Sequence, residues 1–217
     1  KKELRLNRYK SKIIKVNTLK NKKFLKKINN SYFLTESNKE NLLFVLEISK
    51  KLNFKNNIFF KTINNFKGLN YRQQIILKRK NFKIINDSKS TSFSSATGLL
   101  KMHSNIYWLV GGIHKKGDKL NLSKKHYNKI KAFIFGKNTK FFSKVLKGKI
   151  RYENFNNLKD ALKRIFVIIK EQRLVDKTIL FSPCAASFDS FENFEERGFY
   201  FNKLVKKYLN GKQNINI

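Results

Sequence analysis

The sequence predicts an α/β fold in which a mostly parallel sheet is covered by helices on both faces. From about residue 69 onward, short apolar segments alternate with longer segments whose apolar residues recur at helical spacing. The short segments are apolar at successive positions, which is typical of strands buried on both faces of a parallel sheet. Hydrophobic residues make up 41% of the 217-residue chain, so a core can be buried and wholesale disorder is excluded.

The residues before this alternation carry a different pattern. A short apolar run at 13–16 predicts an edge strand, and the rest of 1–30 is expected to be irregular. Residues 38–52 predict a helix with Asn38 at its N-cap, and 57–66 predict a second helix. The apolar residues at helical spacing in the first of these helices are Leu42, Leu43, Val45, Leu46 and Ile48.

A break near residue 68 divides the chain into two predicted domains. Lys67-Gly68 ends the second helical pattern, and the alternation of strands and helices begins just after it. We therefore predict part of one domain at 1–68 and an α/β domain at 69–217.

Within the α/β domain, the first two strands are expected to be joined by a basic turn at 79–81. The predicted strands are 74–77, 82–85, 106–110, 131–135 and 178–181. The predicted helices are 93–102, 123–130, 139–146, 157–171 and 191–209.

The chain is strongly basic, with 49 Lys and Arg against 14 Asp and Glu and a formal net charge of +35. Such a charge is typical of nucleic-acid-binding proteins. The basic residues are spread along the whole chain, however, so solvated lysine faces are the favoured interpretation. A single cysteine excludes a disulfide scaffold, and no apolar run approaches the roughly 20 residues of a membrane-spanning helix. The chain begins at Lys1 without Met, so we expect a piece of a longer protein.

Candidate functional residues follow three of the predicted strands, where α/β sheets bind their ligands. The first loop, 86–91, combines one carboxylate, one ammonium group and several hydroxyls ahead of a helix. A lysine beside a helix N-terminus can form an anion site. Alternatively, the Asp, Ser and Thr side chains of the loop cap the helix, which is the favoured interpretation from the residues alone.

The second loop, 111–118, opens with paired glycines that are followed by His114 and Lys115. The glycines would let a ligand approach the backbone, and Lys115 would meet its negative group. An ordinary glycine turn explains the same pattern, so both interpretations stay open. His114 has no evident Ser or Cys partner nearby in the sequence, so a catalytic role is not expected.

The third loop, 182–191, is rich in small residues and leads into a helix. Its hydroxyl and amide groups could bind a carboxylate at the helix start. The acidic cluster Glu192, Glu195 and Glu196 suits the dipole of that helix. Cys184 has no apparent orienting His or acid, so a nucleophile is not expected, and no Cys/His metal-ligand spacing occurs in the sequence.

These loops, in this order and spacing, resemble the C-terminal part of the Mur ligase family, in the branch that adds D-glutamate. The most specific segment is SPCAASFDSFENFEERGFYFNKLV (182–205), which is similar to the closing motif of that branch. Shorter segments similar to family motifs are INDSKST (85–91), GGIHKKGD (111–118), TESNKEN (35–41) and GLNYR (68–72). Residues that depart from the family pattern are Ser37, Tyr71 and Ser92.

For the fold, the resemblance implies a Rossmann-like C-terminal domain at 69–217, preceded at 1–68 by the end of a central P-loop ATPase domain. The chain contains no G-x-x-x-x-G-K-[ST] phosphate loop. The resemblance therefore implies a fragment that is inactive alone, with the Mg²⁺ ligands mostly outside it.

For the activity, the resemblance implies an ATP-dependent ligase of peptidoglycan synthesis. ATP phosphorylates the carboxylate of UDP-N-acetylmuramoyl-L-alanine, and the amine of D-glutamate then attacks the acyl phosphate. The implied cofactors are ATP and Mg²⁺, and the implied partners are the two substrates and ATP. A monomer in the bacterial cytoplasm is expected, with neither nucleic acid nor membrane as a partner.

For the site, the resemblance implies two groups of residues and assigns no catalytic residue to this chain. The residues expected at the nucleotide are Asn38, Asn41, Arg72 and Asp87. The residues expected to bind D-glutamate are Lys89, Thr91, Lys115, Ser187, Phe188 and Phe194. Two alternatives stay open: a stand-alone basic module that binds anions or nucleic acid, and a Mur-type ligase for a different amino acid.

Overall fold

The computed structural model describes Ile14, Val16 and residues 21–171 and 176–210. The chain divides into two compact units, Lys1–Phe66 and Lys67–Ile217. The strand expected at 13–16 includes residues outside the described ranges. Within those ranges, none of the helices combines the length and the apolar character that crossing a bilayer requires.

The described part of the first unit is helical. Its elements are α1 (Lys22–Leu25), a 3₁₀ turn (Ser31–Leu34), α2 (Glu36–Lys51) and α3 (Asn56–Asn65). Both of the longer helices agree with the predicted ones to within two residues at each end, whereas α1 falls where irregular structure was expected. The core consists of Leu42, Leu43 and Leu46 from α2, Phe59 and Ile63 from α3, and Ile28 and Phe33.

The start of α2 differs from the prediction. The N-cap is Thr35, and Asn38 lies inside the first turn of the helix. The side-chain amide of Asn38 donates to the carbonyl of Tyr32 at 2.6 Å, and the residue is 7% exposed. The expectation that Asn38 caps α2 is therefore wrong, because its amide bonds to the preceding 3₁₀ turn.

The buried face of α2 is also narrower than its apolar pattern. Val45 and Ile48 are 47% and 58% exposed, although they stand at helical spacing with Leu42 and Leu46. The core of this unit covers only one stripe of the helix, so its outer apolar residues face solvent.

The second unit is built on a six-stranded sheet in the order β1-β2-β6-β3-β4-β5. The strands are β1 (Gln74–Arg79), β2 (Phe82–Asn86), β3 (Ile106–Gly111), β4 (Ile130–Phe135), β5 (Arg151–Phe155) and β6 (Lys177–Phe181). Only the hairpin of β1 and β2 is antiparallel among these strands, and the other neighbours pair in parallel. The predicted mostly parallel sheet is confirmed.

Helices cover both faces of this sheet, as predicted. The helices are α4 (Phe93–Met102), α5 (Thr139–Leu146), α6 (Leu158–Glu171) and α7 (Phe194–Asn210). Along β3, Tyr107 and Leu109 belong to the core shared with α6 and α7, whereas Trp108 and Val110 belong to the core shared with α4 and α5. This alternation follows from the period of two residues along a strand.

Three elements of this unit differ from the prediction. The strand β5 was not expected, because it lies at the sheet edge and its residues are mostly polar. The helix expected at 123–130 is a 3₁₀ turn, Lys124–Lys129. The last helix begins at Phe194 rather than at 191, because the side chain of Asn193 accepts the backbone N–H of Glu196 at 2.7 Å and thereby starts the helix.

Candidate functional site

Three loops meet at one edge of the sheet of the second unit. They follow β2, β6 and β3, which are consecutive neighbours in the sheet and run parallel to one another. Their carboxyl ends therefore lie at the same edge, and this edge is where α/β sheets bind ligands. The loops contain most of the residues that the sequence singled out.

The loop after β2 joins the loop after β6 through Asp87. The hydroxyl of Ser182 donates to Oδ2 of Asp87 at 2.9 Å, and the backbone N–H of Gln73 donates to Oδ1 at 3.1 Å. Asp87 is 5% exposed, and this burial raises its pKa to about 7. The two donors and the charge of the exposed Arg72 act in the opposite direction but only partly offset the burial.

The helix-capping interpretation of this loop is wrong for Asp87. The N-cap of α4 is Ser92, which forms a capping box with Ser95. The carboxylate of Asp118, from the loop after β3, accepts the backbone N–H of Phe93 at 2.7 Å. Asp87 instead faces Ser182 at the end of β6, because its position directly after β2 places it beside that strand.

Lys89 and Phe194 are brought together by the fold. The Nζ of Lys89 lies 3.7 Å from the centroid of the Phe194 ring, a close cation–π contact. The backbone N–H of Lys89 donates to the carbonyl of Tyr71 at 3.0 Å, which fixes the loop beneath the side chain. Thr91 follows on the same loop and is exposed.

The paired glycines after β3 allow close approach to the protein's own backbone. A Cβ on Gly111 would lie 2.0 Å from the carbonyl oxygen of Phe135, and one on Gly112 would lie 2.5 Å from that of Ala186. Directly after them, Ile113 and Ala186 exchange two backbone hydrogen bonds of 3.0 and 2.9 Å. The two glycines therefore form a structural turn that docks the second loop onto the third, whereas the role of Lys115 stays a prediction.

The remaining residues expected to bind D-glutamate stand on these docked loops. Lys115 is exposed in the loop after β3. Ser187 is 3% exposed, and its carbonyl accepts the N–H groups of Ser190 and Phe191 in a turn. Phe188, next to it, is 72% exposed and offers a bare aromatic surface at the loop tip.

Arg197 is a central residue of this region that the sequence reasoning did not single out. Its side chain is 1% exposed, Nε donates to Oγ of Ser88 at 3.1 Å, and Nη2 donates to the carbonyl of Ser88 at 2.7 Å. Nη1 has no hydrogen-bond partner among the described residues, and it would lie 3.3 Å from a Cβ on Gly112. Burial lowers the pKa of Arg197 to about 10, an effect that the charge of Asp189 partly offsets.

Arg197 therefore ties α7 to the loop after β2. The hydroxyl of Ser88 also donates to the carbonyl of Phe194, so two residues of the first turns of α7, Phe194 and Arg197, bond to the loop after β2. In the sequence this arginine stands directly before Gly198 in an acidic run, and no local signal marks it as buried. In the structure, a Cβ on Gly198 would lie 2.4 Å from the ring of Tyr71.

The two asparagines expected at the nucleotide belong to the first unit. Asn41 is exposed on α2, and Asn38 is buried on the same helix. Arg72 is exposed just before β1 in the second unit. The assignment of these residues to a nucleotide stays a prediction.

Two other potentially reactive side chains of the second unit, those of His114 and Cys184, are packed against other residues or buried. His114 stacks on the ring of Phe141 at 3.7 Å between ring centroids. Cys184 is fully buried, and burial raises the pKa of its thiol well above the ordinary value, which disfavours a thiolate nucleophile. Glu195 and Glu196 stand in the first turn of α7, as expected from its dipole.

The described residues do not provide a metal site. No group of three or more His, Cys, Asp and Glu side chains among them is arranged to hold a metal ion. The three loops of the second unit contribute cations, hydroxyls and aromatic rings, which are groups that can contact a negatively charged organic ligand.

Named relatives share extensive sequence with this chain, although no protein-family model matches it. The UDP-N-acetylmuramoylalanine–D-glutamate ligase of Wolbachia pipientis wMel is 37% identical over 174 residues, which cover 78% of this chain and 33% of the relative. The protein of the same name from Rickettsia prowazekii is 34% identical, and this chain covers 38% of its length. The protein from Prochlorococcus marinus is also 34% identical, and this chain covers 37% of its length. The chain thus spans about a third of the length of these relatives.

Solved structures of similar fold are also Mur ligases. MurF from Acinetobacter baumannii superposes with a TM-score of 0.58 at 16% identity, over 80% of this chain and 38% of that chain. The UDP-N-acetylmuramate-alanine ligase MurC from Thermotoga maritima gives a TM-score of 0.55 at 15% identity, over 82% and 39%. At these identities the likeness concerns the fold alone. The relatives of one name from three bacterial genera, which are 34–37% identical to this chain, show that it belongs to the Mur ligase family, in the branch of the UDP-N-acetylmuramoylalanine–D-glutamate ligases.

Proposed function

We propose that this chain forms the D-glutamate-binding part of an ATP-dependent ligase that adds D-glutamate to UDP-N-acetylmuramoyl-L-alanine in peptidoglycan synthesis. Relatives that carry this name and are up to 37% identical support the proposal. Since the chain spans about a third of their length, the complete reaction would require the rest of such a protein.

The observation that carries the proposal is the joining of three loops at one sheet edge, with cations and aromatic rings among their residues. D-glutamate presents two carboxylates, and Lys89 and Lys115 supply positive charges for them. Because Lys89 is already held over Phe194 at 3.7 Å, it would lose less conformational freedom when a carboxylate binds.

The remaining residues of the proposed site would orient the amino acid. Thr91 and Ser187 carry hydroxyls that can donate to a carboxylate oxygen. Phe188 offers an exposed aromatic surface against the aliphatic carbons. Lysines near the substrate ammonium group would favour its neutral, nucleophilic form, because like charges disfavour the charged state.

Two residues of the second unit and two of the first are proposed for the nucleotide, each considered within its own unit. Arg72 is exposed and would meet a phosphate or ribose oxygen, and the buried carboxyl of Asp87 would accept from a ribose hydroxyl. Asn41 is the exposed candidate for contact with the adenine, and Asn38 lies buried in the same helix. ATP and Mg²⁺ are the implied cofactors, and because the described residues alone do not fit a Mg²⁺ site, the rest of such a protein would supply most of the ligands of the ion.

The two units are proposed to belong to two different domains of the ligase. The first would be the end of the central ATPase domain, and the second would be the Rossmann-like, D-glutamate-binding domain. The enzyme would act in the bacterial cytoplasm, where its nucleotide-linked substrate would be made.

Titration calorimetry of the full chain with D-glutamate tests the proposal. Lys115→Ala should weaken binding by at least about tenfold, the equivalent of one lost charge-assisted contact. Lys116→Ala is the matched control, since Lys116 is the next residue and is also exposed. Binding should change by less than about twofold in this control. Equal losses in the two variants would rule out a specific role for Lys115 and weaken the proposed site.

A further inference from the structure

A cavity of about 490 Å³ opens at the sheet edge opposite the candidate site, where β3, β4, β5 and β6 begin. Its wall is formed by the first residues of these strands, by residues that precede β3 and β4, and by Ile168 of α6. The charged and amide side chains that line it are Asn105, Asn128, Lys129, Lys131, Arg151 and Lys177. Among the described residues of this wall, none belongs to the proposed D-glutamate or nucleotide site.

The cavity is strongly positive. It is lined by four cationic side chains, and the described wall includes no carboxylate. Glu153 lies close by, but it bonds to Lys131 at 2.6 Å and to Arg164 at 3.1 Å and is thus shared between two cations. Low-dielectric walls focus the field of like charges that line a concave surface.

A second hollow continues this surface along β5. It shares Lys131 and Arg151 with the cavity, adds Lys147 and Lys149 from the turn after α5, and includes one carboxylate, that of Glu153. Cations gathered at this density repel one another, and a bound anion would relieve that repulsion.

Lys177 brings a largely buried positive charge to the wall. Lys177 is 6% exposed, and its Nζ donates to the carbonyl of Ile169 at 3.2 Å. Lysines are rarely buried to this extent, and removal from water lowers the pKa of Lys177. A negative ligand in the cavity would favour the charged form of this ammonium group.

We propose that this cavity binds a di- or triphosphate group, either free or carried by a nucleotide. The guanidinium of Arg151 can bond two phosphate oxygens at once, and the lysines act as compact point charges. Asn105 and Asn128 add amide donors. The volume lies in the range of small-molecule sites, so a compact anion fits it better than a duplex does.

Calorimetric titration of the full chain with tripolyphosphate tests this proposal. Moderate salt is needed because screening suppresses general attraction of anions to a chain of net charge +35. The variant Lys129→Ala/Arg151→Ala removes two cations from the cavity. The control Lys101→Ala/Lys206→Ala removes the same charge from exposed positions on α4 and α7, outside both hollows.

The cavity variant should weaken binding by at least about tenfold, and the control by less than about twofold. Equal weakening in the two variants, or no binding by the unaltered chain, would overturn the proposal. ATP titrated in the same way distinguishes the sources: a loss for tripolyphosphate alone indicates free oligophosphate, and a loss for both indicates a phosphate group that a nucleotide can carry. A short DNA duplex that binds more tightly than tripolyphosphate, and loses affinity in the cavity variant, would overturn the proposal in favour of nucleic acid.

Discussion

Asp87 is a residue whose ionisation is strongly altered by the fold. Both of its oxygens accept hydrogen bonds, yet burial dominates and raises its pKa from 3.8 to about 7. Between these two values the unfolded chain has lost the proton that the folded chain retains. The stability contributed by this group therefore falls as the pH rises through this window, by roughly 1.4 kcal/mol per pH unit.

The variant Asp87→Asn removes this titration while keeping the shape of the side chain. Relative to the unaltered chain, its free energy of unfolding should rise by about 2–3 kcal/mol between pH 5 and pH 8. Urea unfolding followed by the fluorescence of the fully buried Trp108, the single tryptophan, measures this. Asp176→Asn, at an exposed position, should show no such change. A pH-independent difference in the Asp87 variant would contradict the buried, protonated carboxyl.

Arg197 offers a second test at the residue scale. Arg197→Lys removes the planar guanidinium, which donates two hydrogen bonds to Ser88. The hydroxyl and the carbonyl oxygen of Ser88 would then lose these donors. We expect the free energy of unfolding to fall by about 2–3 kcal/mol. The control is Arg164→Lys, an exposed guanidinium bonded to Glu153, which should cost less than about 1 kcal/mol. Urea unfolding of the two variants that gives equal losses would exclude a special role for the buried arginine.

Among the elements, the three loops are joined by backbone contacts as much as by side chains. The close approach of Gly112 to Ala186 and the paired bonds of Ile113 and Ala186 fix the loop after β3 on the loop after β6. This docking presents Lys115 and Phe188 from neighbouring loops. Any change that separates the loops should affect the proposed D-glutamate site without touching its side chains.

Gly112→Ala tests this docking, with Gly117→Ala as its control. Both glycines have positive φ, 122° and 78°, so both variants introduce backbone strain. Only at Gly112 would the new Cβ also meet backbone, 2.5 Å from a carbonyl oxygen, whereas at Gly117 it meets nothing within 4 Å. Urea unfolding should show a loss of about 1 kcal/mol for Gly117→Ala and at least about 2 kcal/mol more for Gly112→Ala. Equal losses would contradict the docking.

The elements that the sequence predicts well are those whose buried apolar residues follow a regular pattern along the chain. The apolar strands and the helix α6 emerge from their periodicity, since burial follows that periodicity directly. The edge strand β5 could not be found in this way, because its pairing with β4 depends on the backbone and its side chains are mostly polar. The N-cap of α2 was misplaced because the amide of Asn38 donates backward to the carbonyl of Tyr32, six residues earlier, and a capping rule considers only the bonds that a side chain accepts from the following turn.

The candidate site was predicted only in part, for a similar reason. Its position after the strands follows from the general behaviour of parallel sheets, and the motifs in the three loops could be found by resemblance. The contact of Lys89 with Phe194 and the burial of Arg197 against Ser88 join distant parts of the chain. Such contacts depend on the order of the strands, which the local pattern does not contain.

At the scale of the whole molecule, the large positive charge is not confined to one surface. The proposed amino-acid site lies at the carboxyl ends of the strands, and the cationic cavity lies at the opposite ends, where the strands begin. The spread of the basic residues along the chain already favours solvated lysine faces over a nucleic-acid interface.

The most direct measurement of the central claim is the affinity of the full chain for the two enantiomers of glutamate, by titration calorimetry at moderate salt. Both enantiomers carry the same charges, so general attraction to lysines cannot distinguish them. A site shaped by docked loops should prefer D-glutamate by at least about tenfold, a free-energy difference of about 1.4 kcal/mol. Equal affinity for the two enantiomers would contradict a D-glutamate site at this sheet edge.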